Sequence, residues 1–379
     1  MTSMGKVVRF VKKEIVFCVS LILAVVSMFF VHPDSGYATY IDFRTLVILW
    51  MLMIIMAGVQ KQHVFNRICE KLLYRINNLR EVVLVLLCLC FFSSMLITND
   101  VALITFVPFS IIILSMCNKK EYLIIVIVLE TVAANLGSML TPLGNPQNLY
   151  LYSLSGMDFA EFVGMMLPFA ALSFFMIIVV AVKAVKPQRV TLIKKGDPYS
   201  VRKHKKIIIM YMVLFVLALF VVLRIVDYRI GFAVVLACCL IFDRETLKKP
   251  DYMLLMTFVF LFIFIGNIKR VPEISLGLQQ IISGNETLVS AGLSQVISNV
   301  PAAILCGGFA GDIPALVVGV NLGGLGTLIA SMASLISFKQ YTNMQGARTG
   351  RYVLAFTVLN AAFLAVLLLF DRLFVGVSA

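Results

Sequence analysis

The sequence predicts an all-α protein that crosses a membrane many times. Of its 379 residues, 61% are hydrophobic and only 13% are charged, whereas soluble domains are about half apolar and a quarter charged. Apolar stretches of about 20 residues, the length that a helix needs to cross the hydrocarbon core, recur along the whole chain. Size rules for soluble domains therefore do not apply, and the chain is interpreted span by span.

Nine of these stretches are predicted to be full spans, and two further apolar blocks are interrupted in the middle. A short polar motif interrupts each block: ITND (97–100) within 81–117, and ISNVP (297–301) within 287–311. Both ends of each block lie on the same side of the membrane, so each is predicted to be a re-entrant helical hairpin or a pair of spans. The nine spans are 14–31, 44–59, 121–150, 161–183, 207–223, 229–243, 251–267, 313–337 and 352–371.

Positive charge gives the orientation. The net charge of +13 comes from Lys and Arg in short polar segments between the apolar runs, which is the distribution of cytoplasmic loops. The run from Lys183 to Lys206 is the strongest marker, and counting from it places the N-terminus in the cytoplasm and the C-terminus outside. We therefore expect a multi-pass protein of the cell membrane, in bacteria the inner membrane, surrounded by lipid. Nucleic acid is not an expected partner.

Counting sides along the chain makes the two halves mirror images. The order span, span, interrupted block, broken span, span fills residues 1–183 and returns with opposite orientation in 229–379. The basic loop and single span at 184–228 perform the inversion. An inverted repeat with discontinuous helices near the midplane is the architecture of secondary transporters, so two hairpins and two unwound helices are predicted.

The unwound helices are the spans at 121–150 and 313–337. The first contains NLGSMLTPLGNPQN (135–148), with two prolines and two glycines, and the second contains the glycine-rich NLGGLGT (321–327). Neither composition sustains a helix. A loop that begins near Thr141 is the alternative for the first. Freed backbone groups in hydrocarbon cost several kcal/mol unless something binds them, so the repeated break predicts a binding site.

The tip motifs offer two kinds of ligand. Hydroxyl and amide oxygens suit a hard cation such as Na⁺, and helix N-termini that start after a tip suit an anion. Polar contacts between packed helices are the alternative. Two carboxyl groups also lie in apolar sequence, Asp100 at the first tip and Glu130 ten residues beyond Lys120. Each can bind Na⁺ when ionised or carry a proton when neutral, although Glu130 could instead bond to a neighbouring helix.

With these motifs the chain resembles the ion transporter superfamily of divalent-anion/sodium symporters, citrate-transporter-like permeases, ArsB-type arsenite pumps and NhaD-type antiporters. The resemblance covers essentially the whole chain and rests on ITND with TPLGNPQN and on ISNVPA with NLGGLGT. It implies hairpin tips that meet unwound helices, paired Na⁺ sites around the substrate, and a homodimer that works by an elevator-like shift. The predicted substrate- and ion-binding residues are Thr98, Asn99, Asp100, Asn135, Gly137, Thr141, Asn145, Ser298, Asn299, Asn321, Gly323 and Thr327, with Glu130 as the coupling candidate.

The expected function is secondary active transport of a small anion, a di- or tricarboxylate or an inorganic oxyanion, driven by Na⁺ or H⁺. Symporters of dicarboxylates carry Ser-Asn-Thr at both tips, whereas Asp100 and Val300 hold the third positions here, so the substrate stays open. A Na⁺/H⁺-type cation antiporter is the alternative, favoured by Asp100, Glu130 and the lack of buried basic residues. No enzyme site is predicted, because no nucleophile–base set or metal-ligand spacing occurs. The only cofactor expected is the coupling ion.

Overall fold

The computed structural model describes residue 10 and residues 14–73, 76–190 and 205–375. Within these ranges the chain is helical and forms no β-sheet. Much of the basic run that was used for orientation, residues 191–204, lies outside them. The α-helices longer than one turn are α1 (Ile15–Phe30), α2 (Phe43–Lys61), α3 (Val64–Leu73), α4 (Leu79–Ile97), α5 (Asn99–Met116), α6 (Leu123–Ser138), α7 (Pro146–Ser155), α8 (Phe159–Ala184), α9 (Lys205–Val222), α10 (Tyr228–Phe242), α11 (Tyr252–Lys269), α12 (Pro272–Ile282), α13 (Glu286–Ile297), α14 (Asn299–Gly307), α15 (Ile313–Leu322), α16 (Met332–Thr342) and α17 (Thr349–Phe370).

The fold class is confirmed: the protein is an all-α polytopic membrane protein. In the described part of the chain, eight helical segments are long and apolar enough to cross a membrane, and α1, α10 and α15 are shorter apolar helices. Outside the interrupted blocks and the two broken spans, the helices follow the predicted spans to within three residues at each end. The first interrupted block forms α4 and α5, each of which is long enough to cross a membrane. The agreement has a simple cause, since the apolar length of a segment is a local property of the sequence.

The helices form two groups. In the first, which we call the frame, α1 packs along α11, and α2 packs along α9 and α10. In the second, which we call the core bundle, the segments α4 to α8 and α13 to α17 pack together. Every residue of α6 from Val126 to Ser138 is buried. A helix that is apolar all round belongs in the interior, and α6 contacts α4, α5, α8, α16 and α17.

The frame and the core bundle meet along a limited boundary, where α2 contacts α7 and α11 contacts α14. One side chain crosses this boundary at the end of α7. Arg224, in the turn between α9 and α10, donates to the carbonyl oxygens of Tyr152 and Gly156, each at 3.4 Å. Its guanidinium carbon lies 5.4 Å from the centre of the Tyr152 ring. A cation is favourable at the negative end of a helix dipole, so this contact stabilises α7 against the frame.

Candidate functional site

Two one-residue breaks separate α4 from α5 and α13 from α14, and they have the same backbone geometry. Thr98 has φ 70° and ψ 150°, and Ser298 has φ 73° and ψ 154°. This region is essentially reserved for glycine, and each other residue held there costs about 1–3 kcal/mol. Strain of this kind persists only where the surroundings impose it, so the two tips are held by their contacts.

Those contacts join each tip to the break that follows in the same half of the chain. The helical segments α6 and α7 are separated by residues 139–145, and α15 and α16 by residues 323–331. The Asn99 N–H donates to the carbonyl oxygen of Gly144 at 3.1 Å, and the Asn299 N–H donates to that of Ala330 at 2.9 Å. A tip and an unwound segment therefore dock against one another twice in the molecule.

In the first break, one amide side chain satisfies the freed backbone. The Nδ2 atom of Asn148 lies 3.1–3.3 Å from the carbonyl oxygens of Ser138, Met139 and Thr141. The Thr141 hydroxyl donates to the carbonyl oxygen of Met95 in α4. These bonds remove most of the cost of leaving carbonyl groups without helical partners.

In the second break, Gln295 of α13 has the same role. Its Nε2 atom donates at 2.9 Å to the carbonyl oxygens of Gly323 and Leu325, and its Oε1 atom accepts the N–H of Thr327 at 2.9 Å. The Thr327 hydroxyl, on an exposed residue, donates to the Gln295 carbonyl oxygen at 3.0 Å. Thr141 and Thr327 therefore anchor their segments to the hairpins through matching bonds.

The two halves exchange amide and hydroxyl contacts at the centre. The Asn135 side chain, on α6, accepts from Asn99 Nδ2 at 3.1 Å and from the Ser331 hydroxyl at 3.0 Å. Its own Nδ2 donates to the Ser334 hydroxyl at 3.4 Å. Ser331 and Ser334 stand at the start of α16, so a residue of the first half holds the second break. All four side chains are buried.

Asn321, on α15, makes the reciprocal contact with the first break. Its Oδ1 atom accepts from Asn145 Nδ2 at 3.3 Å, and its Nδ2 atom donates to Asn148 Oδ1 at 2.6 Å and to the carbonyl oxygen of Val317 at 2.8 Å. Asn145 and Asn148 stand at the start of α7, where Ser331 and Ser334 stand in α16. We call the two crossed sets, with the two tips, the polar centre.

Some predicted residues occupy other places than expected. The sequence predicts Asn135, Gly137 and Asn321 in unwound stretches. Asn135 and Gly137 instead belong to the last turns of α6, which stays helical to Ser138, and Asn321 belongs to α15. The helix α6 continues because Gly137 packs on the backbone of α4: a Cβ atom there would lie 2.2 Å from the Phe91 carbonyl oxygen. Gly323 ends α15 with helical torsion angles and packs likewise, since its Cβ would lie 2.7 Å from the Ala291 Cα.

Asp100 follows the first tip directly. It is partly exposed, and its N–H donates to Asn99 Oδ1 at 2.9 Å. Among the described residues, no hydrogen-bond donor or cationic group contacts its carboxylate. The corresponding residue of the second half is the apolar Val300. The Asn299 side chain, which precedes it, lies against Gly324. The polar centre is therefore asymmetric in charge, with one carboxylate and, within the described ranges, no Lys or Arg among its contacts.

Glu130 lies away from the polar centre, on α6. It is fully buried, the Ser110 hydroxyl donates to its Oε1 atom at 2.5 Å, and its Oε2 atom has no partner among the described residues. It precedes Asn135 by five positions, which is about 7.5 Å along a helix. The structure thus brings Thr98, Asn99, Asn135, Asn145, Asn321 and the second tip together, but it leaves Glu130 outside that group.

Sequence reasoning missed four side chains that hold the breaks. Asn148 lies inside the predicted break at 135–148, but the sequence pattern there indicates only that the helix is interrupted. Ser331 and Ser334 repeat the three-residue spacing of Asn145 and Asn148 at a helix start, and this repetition is the signal that could have found them. Gln295 has no such signal, because its partners lie 28 to 32 residues away.

This combination of broken helices, strained tips and a polar centre in an apolar helical protein is typical of membrane transporters. The family comparison places the chain in that class: it belongs to the CitMHS citrate transporter family, whose model matches residues 4–313. The protein is accordingly a membrane transporter of the CitMHS/ArsB type and not an enzyme. The membership also bears out the expected superfamily resemblance.

Several curated proteins are similar to this chain. An uncharacterized transporter of Methanocaldococcus jannaschii is 32% identical over 342 residues, which is 88% of this chain and 90% of that protein. The inner membrane protein YbiR of Escherichia coli is 29% identical over 328 residues, 84% of this chain and 86% of that protein. The silicon efflux transporter LSI3 of Oryza sativa is 27% identical over 140 residues, 36% of this chain and 28% of that protein.

Proposed function

We propose that the protein is a secondary active transporter that moves a small anion, a di- or tricarboxylate or an inorganic oxyanion, together with Na⁺ or H⁺. The observation that carries this proposal is the crossed pair Asn135 and Asn321, each of which reaches from one half of the chain to the break of the other. A solute that replaces these bonds contacts both halves at once. Its binding is then coupled to their relative position.

The proposed architecture is an inverted repeat that works by an elevator-like movement. Residues at corresponding positions make corresponding contacts, which supports a repeat: Asn99 with Asn299, Asn145 with Ser331, and Asn148 with Ser334. The limited boundary between frame and core bundle supports a shift of one against the other. We propose that the protein acts as a homodimer in the cell membrane, the inner membrane in bacteria, with its N-terminus in the cytoplasm.

The charge of the polar centre supports coupling to a cation. Amide N–H groups and hydroxyls can donate to an oxyanion or a carboxylate, but they carry no charge to balance it. When ionised, Asp100 adds a negative charge at the first tip. An anion that enters this centre is therefore favoured only when a cation or a proton enters with it. Hydroxyl and amide oxygens at the tips are suitable ligands for Na⁺.

A Na⁺/H⁺-type cation antiporter is the second candidate. The same charge balance favours it, because Asp100 and Glu130 are acidic and the described contacts of the polar centre include no basic residue. In that case the carboxylate at the tip is the exchange site itself, and the solute is the cation.

Transport by purified protein in liposomes tests the two candidates. We expect accumulation of citrate, succinate, sulfate or arsenite under an inward Na⁺ or H⁺ gradient. The variant Asp100→Asn should then keep transport with weakened affinity, because the amide retains the shape of the tip but not its charge. Proton movement that is driven by Na⁺ alone, and that is abolished in Asp100→Asn, would instead establish the antiporter. Normal transport by this variant would contradict any role for Asp100.

A further inference from the structure

We propose that Glu130 is a proton-binding site that is separate from the polar centre and controls the docking of the first hairpin on α6. This inference rests on the proposed function, because it specifies the ion that is coupled at this position. It assigns H⁺ to Glu130 and leaves any metal cation to the tips.

The surroundings of Glu130 cannot hold a charge well. The side chain is fully buried, and α4, α5, α8, α16 and α17 enclose its helix. The Ser110 hydroxyl of α5 is the one described hydrogen-bond donor to the carboxyl group, and the Oε2 atom is left without a described partner. An ionised carboxylate in such a place costs far more than a neutral one, so the neutral acid with its proton on Oε2 is favoured.

Among the described residues, the titratable groups near Glu130 supply no positive charge. On α4, the Cys90 thiol donates to the backbone carbonyl oxygen of Glu130 at 3.3 Å. On α17, the buried Tyr352 hydroxyl bonds to the Ser337 hydroxyl of α16 at 3.2 Å. The described ion pairs all lie elsewhere. Neither α5 nor α8 contributes a described charged partner.

A metal cation does not fit at this position. Hard cations are held by several oxygen ligands at once, and the described oxygen ligands here are the carboxyl group and the Ser110 hydroxyl. Backbone carbonyl groups of α6 are engaged in its helical hydrogen bonds, and that of Glu130 also accepts from Cys90. A proton needs no such shell, because it forms one O–H bond with Oε2 and leaves to water when that bond breaks.

The position of Glu130 links the proton to the polar centre. The Ser110–Glu130 bond joins α5, which begins at the first tip with Asn99, to α6, which carries Asn135 and ends at the first break. Loss of the proton would leave an uncompensated charge between these two helices. The neutral form therefore stabilises the docked hairpin, and the ionised form favours its release or the entry of water.

A buried carboxyl group occupies this position in one half of the chain, and an apolar residue occupies it in the other. Glu130 precedes Asn135 by five positions, and the residue that precedes Asn321 by five positions is the apolar Leu316. Proton binding would thus act on the first hairpin and not on the second. Such an asymmetry gives the two hairpins different roles in the transport cycle.

Infrared difference spectroscopy tests the proton directly and requires no transport. At neutral pH the wild-type protein should show the carbonyl band of a protonated carboxyl group, and Glu130→Gln should lack it. Glu286→Gln is a matched control. Glu286 is also buried, at 3% exposure, but its Oε1 atom accepts the N–H groups of Gly311 and Asp312 at 3.0 Å. The control should keep the band, and a wild-type band that survives in Glu130→Gln would overturn the proposal.

Transport then tests the consequence. Because glutamine imitates the neutral acid, Glu130→Gln should still exchange solute across the liposome membrane but should lose the pH dependence of exchange and the accumulation driven by a proton gradient. Unchanged pH dependence in this variant would contradict the proposal. A wild-type protein that carries no solute would refute the proposed function instead, while the infrared band would still report on the proton site.

Discussion

At the scale of single residues, the two hairpin tips are the most unusual positions of the described chain. Thr98 and Ser298 adopt torsion angles that glycine alone adopts freely, yet neither is glycine. Their neighbours Asn99 and Asn299 each bond through the backbone N–H to the break in the same half of the chain. Those contacts therefore maintain the strained torsion angles. Each tip keeps a hydroxyl-bearing side chain although glycine would relieve the strain.

The strain at the first tip leads to a prediction about stability. Thr98→Gly should raise the free energy of unfolding by about 1 kcal/mol, because relief of the strained torsion angles outweighs the greater flexibility of glycine in the unfolded chain. The same change should weaken transport, since the hydroxyl is lost. Thermal unfolding in detergent and liposome uptake measure the two effects. Thr98→Ser is the control that keeps the hydroxyl, and a destabilised Thr98→Gly protein would show that the tip is not strained.

At the scale of secondary structure elements, α6 determines how the first hairpin is held. Its end approaches α4 so closely that a Cβ atom on Gly137 would lie 2.2 Å from the Phe91 carbonyl oxygen and 2.5 Å from the Ser94 hydroxyl oxygen. The neighbour at the first contact is backbone, so it cannot rotate away. The close approach keeps Asn135, two residues earlier, within reach of the Asn99 side chain.

Widening this contact should destabilise the protein. We expect Gly137→Ala to lower the free energy of unfolding by about 1–3 kcal/mol, because overpacking forces the helices apart. Gly164→Ala is a matched control in α8: a Cβ atom there meets nothing within 4 Å, and alanine favours a helix over glycine. Thermal unfolding of both variants in the same detergent makes the comparison. Equal midpoints for the two would refute the close packing at Gly137.

At the scale of the whole molecule, ion pairs between the end of α2 and the segment after α10 stabilise the frame. The Lys61 ammonium group at the end of α2 bonds to Asp243 at 2.9 Å and to Glu245 at 3.1 Å, and the Tyr211 hydroxyl of α9 donates to Asp243 at 3.1 Å. Burial raises the pKa of Asp243, but the bonds from Lys61 and its other partners outweigh burial, so its pKa lies below the ordinary value.

The lowered pKa of Asp243 predicts how stability depends on pH. The ionised form of Asp243 is more stable in the folded protein than in the unfolded chain. The Asp243 carboxylate therefore stabilises the fold above the ordinary pKa of 3.8, and this contribution is lost as the pH falls through the pKa of the folded state. The Lys61 side chain is 40% exposed, so water weakens the effect. We expect Asp243→Asn to be less stable than wild type at neutral pH, and the difference to shrink below pH about 4.

Thermal unfolding of both proteins between neutral and acid pH measures this difference. Glu245→Gln is the comparison for an exposed partner, because the Glu245 side chain is 82% exposed, and it should change the pH profile little. A difference in stability between wild type and Asp243→Asn that grows as the pH falls would contradict this prediction.

Much of the fold could be predicted from local sequence. The apolar segment 161–183 became α8 over Phe159–Ala184, and the polar motifs at 97–100 and 297–301 mark the points where α4 and α13 end. These predictions succeeded because hydropathy and helix propensity belong to a segment itself. The register at the first break was less predictable: Asn135 and Gly137 remained helical because of packing against α4.

The sequence by itself determined the class of protein, the apolar helices and the two interrupted stretches, since a chain in hydrocarbon must form helices wherever it is apolar and must compensate each break. Only the tertiary structure decided which polar groups meet. Asn135 bonds to Ser334, 199 residues away, and Asn145 bonds to Asn321, 176 residues away. Such pairs depend on the directions in which distant helices pack, and no local pattern encodes those directions.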